Sequence, residues 1–109
     1  MSSPKGYRDS IYIIKDIILT LVEYGELNQT ALISYCGLNL TKHRHILEGL
    51  EENQMIEKFE VKQGKRLVTM FKVTSKGMDF CNNILEPYED IFPRKIKSDK
   101  KTGLSLIFI

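Results

Sequence analysis

The segment 39-NLTKHRHILEGLEENQMI-56 gathers the side chains of this sequence best suited to chemistry. Lys42 and Arg44 carry fixed positive charge. An ammonium meets a phosphate oxygen as a point charge, whereas a guanidinium holds two acceptors at once. His45 donates or accepts at a hydrogen-bonding edge, and Thr41 adds a hydroxyl. Three acids, Glu48, Glu51 and Glu52, follow these cations, so charge is divided along the segment. Histidines also suggest a metal, but His43 and His45 stand two positions apart, about 200° around a helix. With Cys36 they do not converge on one ion. The sequence contains no HExxH, GxSxG or GxxxxGK[ST] pattern, and its scattered acids are explained by salt bridging and solubility. No catalytic residue, cofactor, metal ligand or small-molecule ligand is assigned, and the chain is not read as an enzyme.

Those side chains need a frame, and the bulk numbers bound it. A chain of 109 residues suits one domain, and 42% hydrophobic residues are enough for a core. No apolar run approaches the roughly 20 residues of a membrane span. The start, MSSPKGYRDS, lacks the apolar segment of a secretory signal. Cys36 and Cys81 lie far apart and read as reduced, buried thiols of a cytoplasmic protein. Net charge is +2, but the run 94-RKIKSDKK-101 holds five Lys/Arg and one Asp, a local +4, leaving −2 for the remainder. A nucleic-acid surface on this body must therefore be a local patch, helped by a cationic tail.

Hydrophobic spacing supplies the elements. Apolar residues at helical intervals predict a helix over 8–24, capped by Asp9 or Ser10 and followed by Gly25, with Pro4 and Gly6 leaving an arm before it. A short helix follows over 28–36, with Asn28 as cap and Ala31, Leu32 and Tyr35 on one face. After Gly37, Asn39 caps a third helix over 40–53. Leu40, His43, Ile46, Leu47 and Leu50 lie on its inner side, Thr41, His45, Glu48 and Glu52 lie opposite, and Lys42 and Arg44 flank the exposed face. Two helices joined by a short glycine-containing turn form the helix-turn-helix pattern. The stretches 56–61 and 66–73 predict strands of a hairpin turning at 62-KQGK-65. A fourth helix spans 75–91, with Met78, Cys81, Ile84, Leu85 and Tyr88 as its stripe and Pro87 kinking or shortening its end. The domain is assigned to 1–91, and 92–109 to a basic and then apolar tail ending in LSLIFI.

Three pieces in this order resemble the archaeal-type winged helix-turn-helix regulators: 36-CGLNLTKHRHILEGLEENQMI-56, the wing turn KQGK, and 73-VTSKG-77 as a "T-x-K-G" lead-in to the last helix. The resemblance covers about residues 8–91. It implies an α+β, mostly α fold: three helices, a β-hairpin wing and a C-terminal helix. Two positions depart from the pattern. Gln54 stands where those proteins carry a glycine, with Asn53 before it to take up the left-handed turn. His43 stands at a usually apolar position and reads as half-buried and bonded to a backbone carbonyl.

In a helix-turn-helix the recognition helix meets the major groove through its N-terminal residues. Thr41, Lys42, Arg44 and His45 then face DNA, with Arg44 on guanine or phosphate, Lys42 on phosphate and His45 on a base edge. Lys62, Lys65 and Arg66 of the wing suit phosphates or the minor groove. The expectation is a double-stranded DNA-binding transcriptional regulator or chromatin-associated protein. It would act as a homodimer, because one short helix reads too few base pairs, with 8–24 and 75–91 as dimer surfaces. A protein-interaction adaptor is the alternative.

Overall fold

Helix α1, Ser10–Tyr24, forms because Ile13, Ile17 and Leu21 recur every fourth position, and all three are buried. The computed structural model of the chain describes residues 9–94. The expected arm and the tail from Lys95 to Ile109 lie outside the described residues. Asp9 occupies the cap position in extended backbone but makes no side-chain cap bond, so the expected capping is absent. Gly25 ends the helix, its N–H donating to the Leu21 carbonyl at 2.8 Å.

The next element has no counterpart in the sequence reading. Strand β1, Glu26–Asn28, is three residues long and pairs antiparallel with a later strand. Asn28 closes β1 and also caps α2, Gln29–Cys36, its Oδ1 accepting the Ala31 N–H at 2.8 Å. Leu32 and Cys36 are buried on this helix, but Tyr35 is exposed, so the expected inner face is shifted. Helix α3, Leu40–Glu52, begins on Asn39, whose Oδ1 accepts the Lys42 N–H at 3.0 Å.

Strands β2, Ile56–Gln63, and β3, Arg66–Val73, pair from Ile56↔Val73 to Gln63↔Arg66. The turn is therefore tighter than KQGK: only Gly64 and Lys65 are unpaired. Gly64 holds φ +62 at the first turn position, a conformation that glycine adopts without strain. The sheet order is β1-β3-β2. Helix α4, Ser75–Phe80, runs through a π-helical turn, Cys81–Leu85, into α5, Glu86–Ile91. The Glu86 N–H reaches back five residues to the Cys81 carbonyl. This wide turn immediately precedes Pro87, which has no N–H to give to a carbonyl four residues back and whose ring crowds that carbonyl. The proline is accommodated without ending the helix.

The core packs α1, α2 and α3 against the sheet through Ile17, Leu21, Leu32, Leu47, Leu50, Ile56 and Phe71, among others. Ile18, Cys81 and Leu85 form a second, smaller cluster beneath the C-terminal helix. The fold is a winged helix-turn-helix: mostly helical, with a three-stranded antiparallel sheet. No helix among the described residues is long and apolar enough to cross a membrane.

Candidate nucleic-acid interface

Helix α3 is docked by one side and open on the other. Ile46, Leu47 and Leu50 are buried, whereas Thr41, Lys42, Arg44, His45, Glu48 and Glu52 are exposed. The four candidate contact residues thus occupy its first two turns, where unsatisfied amides and the helix dipole favour anions. His43 is half-buried, and its role differs from the expectation. Its Nδ1 accepts the Asn39 backbone N–H at 3.1 Å instead of bonding a carbonyl. With the Asn39 side chain on the Lys42 N–H, this gives a reciprocal cap that fixes the start of α3.

The far end of α3 is held by a different device. The left-handed residue is Gln54, φ +64, not Asn53. Asn53 instead donates its side-chain amide to the Gly49 carbonyl at 2.8 Å. Thr74 Oγ1 lies 2.6 Å from the Gln54 carbonyl oxygen and 3.0 Å from that of Met55, and it accepts the Gly77 N–H at 3.0 Å. The "T-x-K-G" motif therefore ties the turn after α3 to the start of α4.

The wing carries its cations in two places. Residues directly opposite on paired strands share a sheet face, so Ile56, Lys58, Glu60 and Lys62 lie with Phe71 on the face turned to α3. Lys58 confirms this direction by reaching Glu51 of α3 at 3.6 Å. Lys62 continues that row toward the tip, Lys65 sits in the turn, and Arg66 pairs with Gln63 on the other face. All three cations are exposed.

His45 has a second environment. It lines an apolar cleft of about 430 Å³ between α3, α1 and α4, together with Ile14, Ile46, Leu50, Met55 and Phe80. Among the described residues no group of three or more His, Cys, Asp or Glu side chains is placed to hold a metal ion.

Sequence reasoning missed a charged cluster at the base of the domain. Lys15, only 8% exposed, donates to Glu89 at 2.8 Å and lies 3.2 Å from Glu86. Arg94, assigned from sequence to the basic run, donates to both oxygens of Glu89 and both of Asp16. Its hydrogen bonds outweigh the opposing effect of burial and hold the Glu89 carboxyl down at about 2. Burial opposes the charge on Lys15, but hydrogen bonds to Glu89 and Glu86 prevail and raise its pKa. Lys15 on the helix and the acids Glu86 and Glu89 three apart were the available signal; nothing in spacing tied them to residue 94.

No protein-family model matches the sequence, and no curated protein matches it. Among solved structures the chain is similar to a transcriptional regulator homologue from Pyrococcus horikoshii OT3. That match has a TM-score of 0.63 and 16% identity, covering 74% of this chain and 80% of that one. A transcriptional regulator from Clostridium thermocellum gives 0.63 and 16% over 80% of this chain and 95% of that one. The circadian clock associated protein Pex from Anabaena gives 0.61 and 20% over 84% and 86% respectively. At these identities the likeness is one of fold.

Proposed function

We propose that the chain is a double-stranded DNA-binding transcriptional regulator or chromatin-associated protein, with α3 in the major groove and the wing on the backbone. The carrying observation is that α3 buries only Ile46, Leu47 and Leu50. Its capped N-terminal turns thereby present Thr41, Lys42, Arg44 and His45 to solvent. Lys42 meets a phosphate, Arg44 a guanine edge or phosphate, and Thr41 and His45 add hydrogen bonds at base edges. Lys62, Lys65 and Arg66 extend the interface along phosphates. The neighbours in fold from Pyrococcus and Clostridium are themselves described as transcriptional regulators, which favours this reading over other uses of a winged helix.

The protein acts as a homodimer, because two copies extend a site that one helix reads too briefly. Exposed Met78 on α4, Ile84 in the π turn, Ile91 on α5 and Phe92 just after it suit a self-complementary apolar surface. That same surface favours the second reading, an adaptor that binds protein and not DNA. Fluorescence anisotropy on mixed duplex fragments over a salt series separates the two. Phosphate-mediated binding weakens steeply with salt; absence of binding at low salt leaves the adaptor.

A further inference from the structure

We propose that the chain's own C-terminal segment, from Lys95 onward, docks back along the outer side of α1 and α2, in a groove beginning at Asp16. That groove encloses about 250 Å³ and is lined by Asp16, Leu19, Thr20, Glu23, Tyr35 and Cys36. Four features of the molecule converge on this occupant.

The first is the anchoring of Arg94, the residue from which this segment departs. Arg94 Nη1 lies 3.0 and 3.1 Å from the two Asp16 oxygens, and its guanidinium stands 4.9 Å from the centre of the Tyr12 ring. Tyr12 donates its hydroxyl to the Phe92 carbonyl. The peptide is thus clamped on the side of α1 where the groove opens, and Asp16 is both clamp and groove wall. The second is charge. The segment 95-KIKSDKK-101 holds four lysines and one aspartate, and beyond Asp16, which Arg94 already engages, the groove carries the exposed carboxylate of Glu23.

The third is apolar matching. Leu19 is 38% and Tyr35 57% exposed, and Val22 and Tyr24 are exposed beside them. Tyr35 stacks on Tyr24 with ring centres 4.8 Å apart, making an aromatic wall at the end of the groove. The tail ends in 104-LSLIFI-109, a run with no charge and no proline that is costly to leave in water. The fourth is reach. From Asp16 to Tyr24 the helix axis runs about 12 Å. The ten residues from Arg94 to Leu104 span about 15 Å as a helix and about 33 Å fully extended. The apolar end reaches Tyr24 and Tyr35 in either conformation.

The larger cleft beside His45 is the competing berth: its apolar lining suits the 104–109 run, but it contains no acid for the lysines that precede that run. Its α1 residues, Ser10 and Ile14, lie about 200° around the helix from Tyr12 and Asp16, on the side away from the clamp.

The chain has no tryptophan, so Phe108→Trp in the full-length protein supplies a single indole reporter. The expected result is blue-shifted emission and weak quenching by acrylamide. Adding Leu19→Asp with Tyr35→Asp should return emission and quenching to those of a free indole while circular dichroism still reports a cooperative melt. Should that pair unfold the domain, Glu23→Lys replaces it: a single exposed charge reversal that should raise quenching at low salt. Free-indole emission from the Phe108→Trp protein overturns the proposal. So does protection unchanged by the groove variants, which would place the segment at the β2 edge or in the His45 cleft. Protection that vanishes on dilution also overturns it, since the segment would then be held by a second copy.

Discussion

The Thr74 hydroxyl sits 2.6 Å from the carbonyl oxygen of Gln54, twenty residues earlier in the chain, and this bond supports the strained turn that ends α3. Gln54 is in the left-handed region at φ +64, where a residue with a Cβ is disfavoured by roughly 1–2 kcal/mol. Next to it the backbones approach so closely that a Cβ on Gly77 would lie 2.1 Å from the Met55 carbonyl oxygen. Gly77→Ala must therefore push α4 away from the turn. Thermal unfolding should show a destabilisation above about 2 kcal/mol, the range of strain and overpacking. Thr74→Val should cost about 1–2 kcal/mol by removing both the cap and the turn bond. An unperturbed melting curve for Gly77→Ala would mean that the two segments are not held together as described.

Lys42→Ala and Arg44→Ala should weaken DNA binding without lowering the melting temperature, because both side chains are exposed. An Arg44 that reads guanine carries about 1–3 kcal/mol, and its removal relaxes preference at one base pair. Anisotropy titrations on a preferred and a scrambled duplex measure both effects. Wild-type affinity in both variants would remove α3 from the interface.

Neutralising Lys62, Lys65 and Arg66 together should lower affinity on every sequence alike and flatten the dependence of log K on log salt. Each phosphate that is no longer neutralised by a cation reduces that slope by about 0.9. An unchanged slope would mean that the wing tip does not meet phosphate.

Glu89 makes stability pH-dependent in a stated window. Its carboxyl is at about 2 in the folded protein against an ordinary 4.5. A depressed carboxyl contributes stability that is complete above the unfolded value and disappears as pH falls toward the folded one. That displacement corresponds to at most about 3 kcal/mol. The melting temperature should fall between pH 4.5 and 2, and Glu89→Gln should be less stable at pH 7 yet fall less steeply across the same window. Parallel curves for the two proteins would show that Glu89 is not the linked group.

Much of this fold is legible in the sequence because long periodic segments need no tertiary context. The spacing of Ile13, Ile17 and Leu21, and of Ile46, Leu47 and Leu50, announces α1 and α3, and both asparagine caps stand where side-chain chemistry requires them. Strand β1 is not legible, since three residues, Glu26–Asn28, are too few to show alternation and exist as a strand only through pairing with β3. The left-handed turn falls one position later than propensity suggests, because Asn53 is the better residue intrinsically but Thr74 holds the carbonyl of Gln54. Arg94 reads as a loose cation in the sequence because its partners, Asp16 and Glu89, become neighbours only in the fold. The seven candidate DNA-binding residues follow from position in the motif, and their common exposure agrees with that assignment without testing it.

Assembly is best probed at a residue that is exposed in one copy. Ile18 is fully buried beside Cys81 and Leu85, so an acid there unfolds the second core cluster whatever the oligomeric state. Ile84 is on the same C-terminal helix but 49% exposed, with Met78 also exposed. If α4 and α5 form the proposed two-fold surface, an aspartate at position 84 appears twice in the interface, near its own symmetry mate, where burial and like charge both oppose association. Ile84→Asp should therefore shift light scattering at micromolar concentration from dimer to monomer while leaving the far-ultraviolet circular dichroism spectrum intact. Binding to a palindromic duplex should weaken in parallel, and binding to a half-site should change little. A wild-type monomer would remove the argument for paired half-sites. A dimer that survives Ile84→Asp would move the interface to another face of the domain.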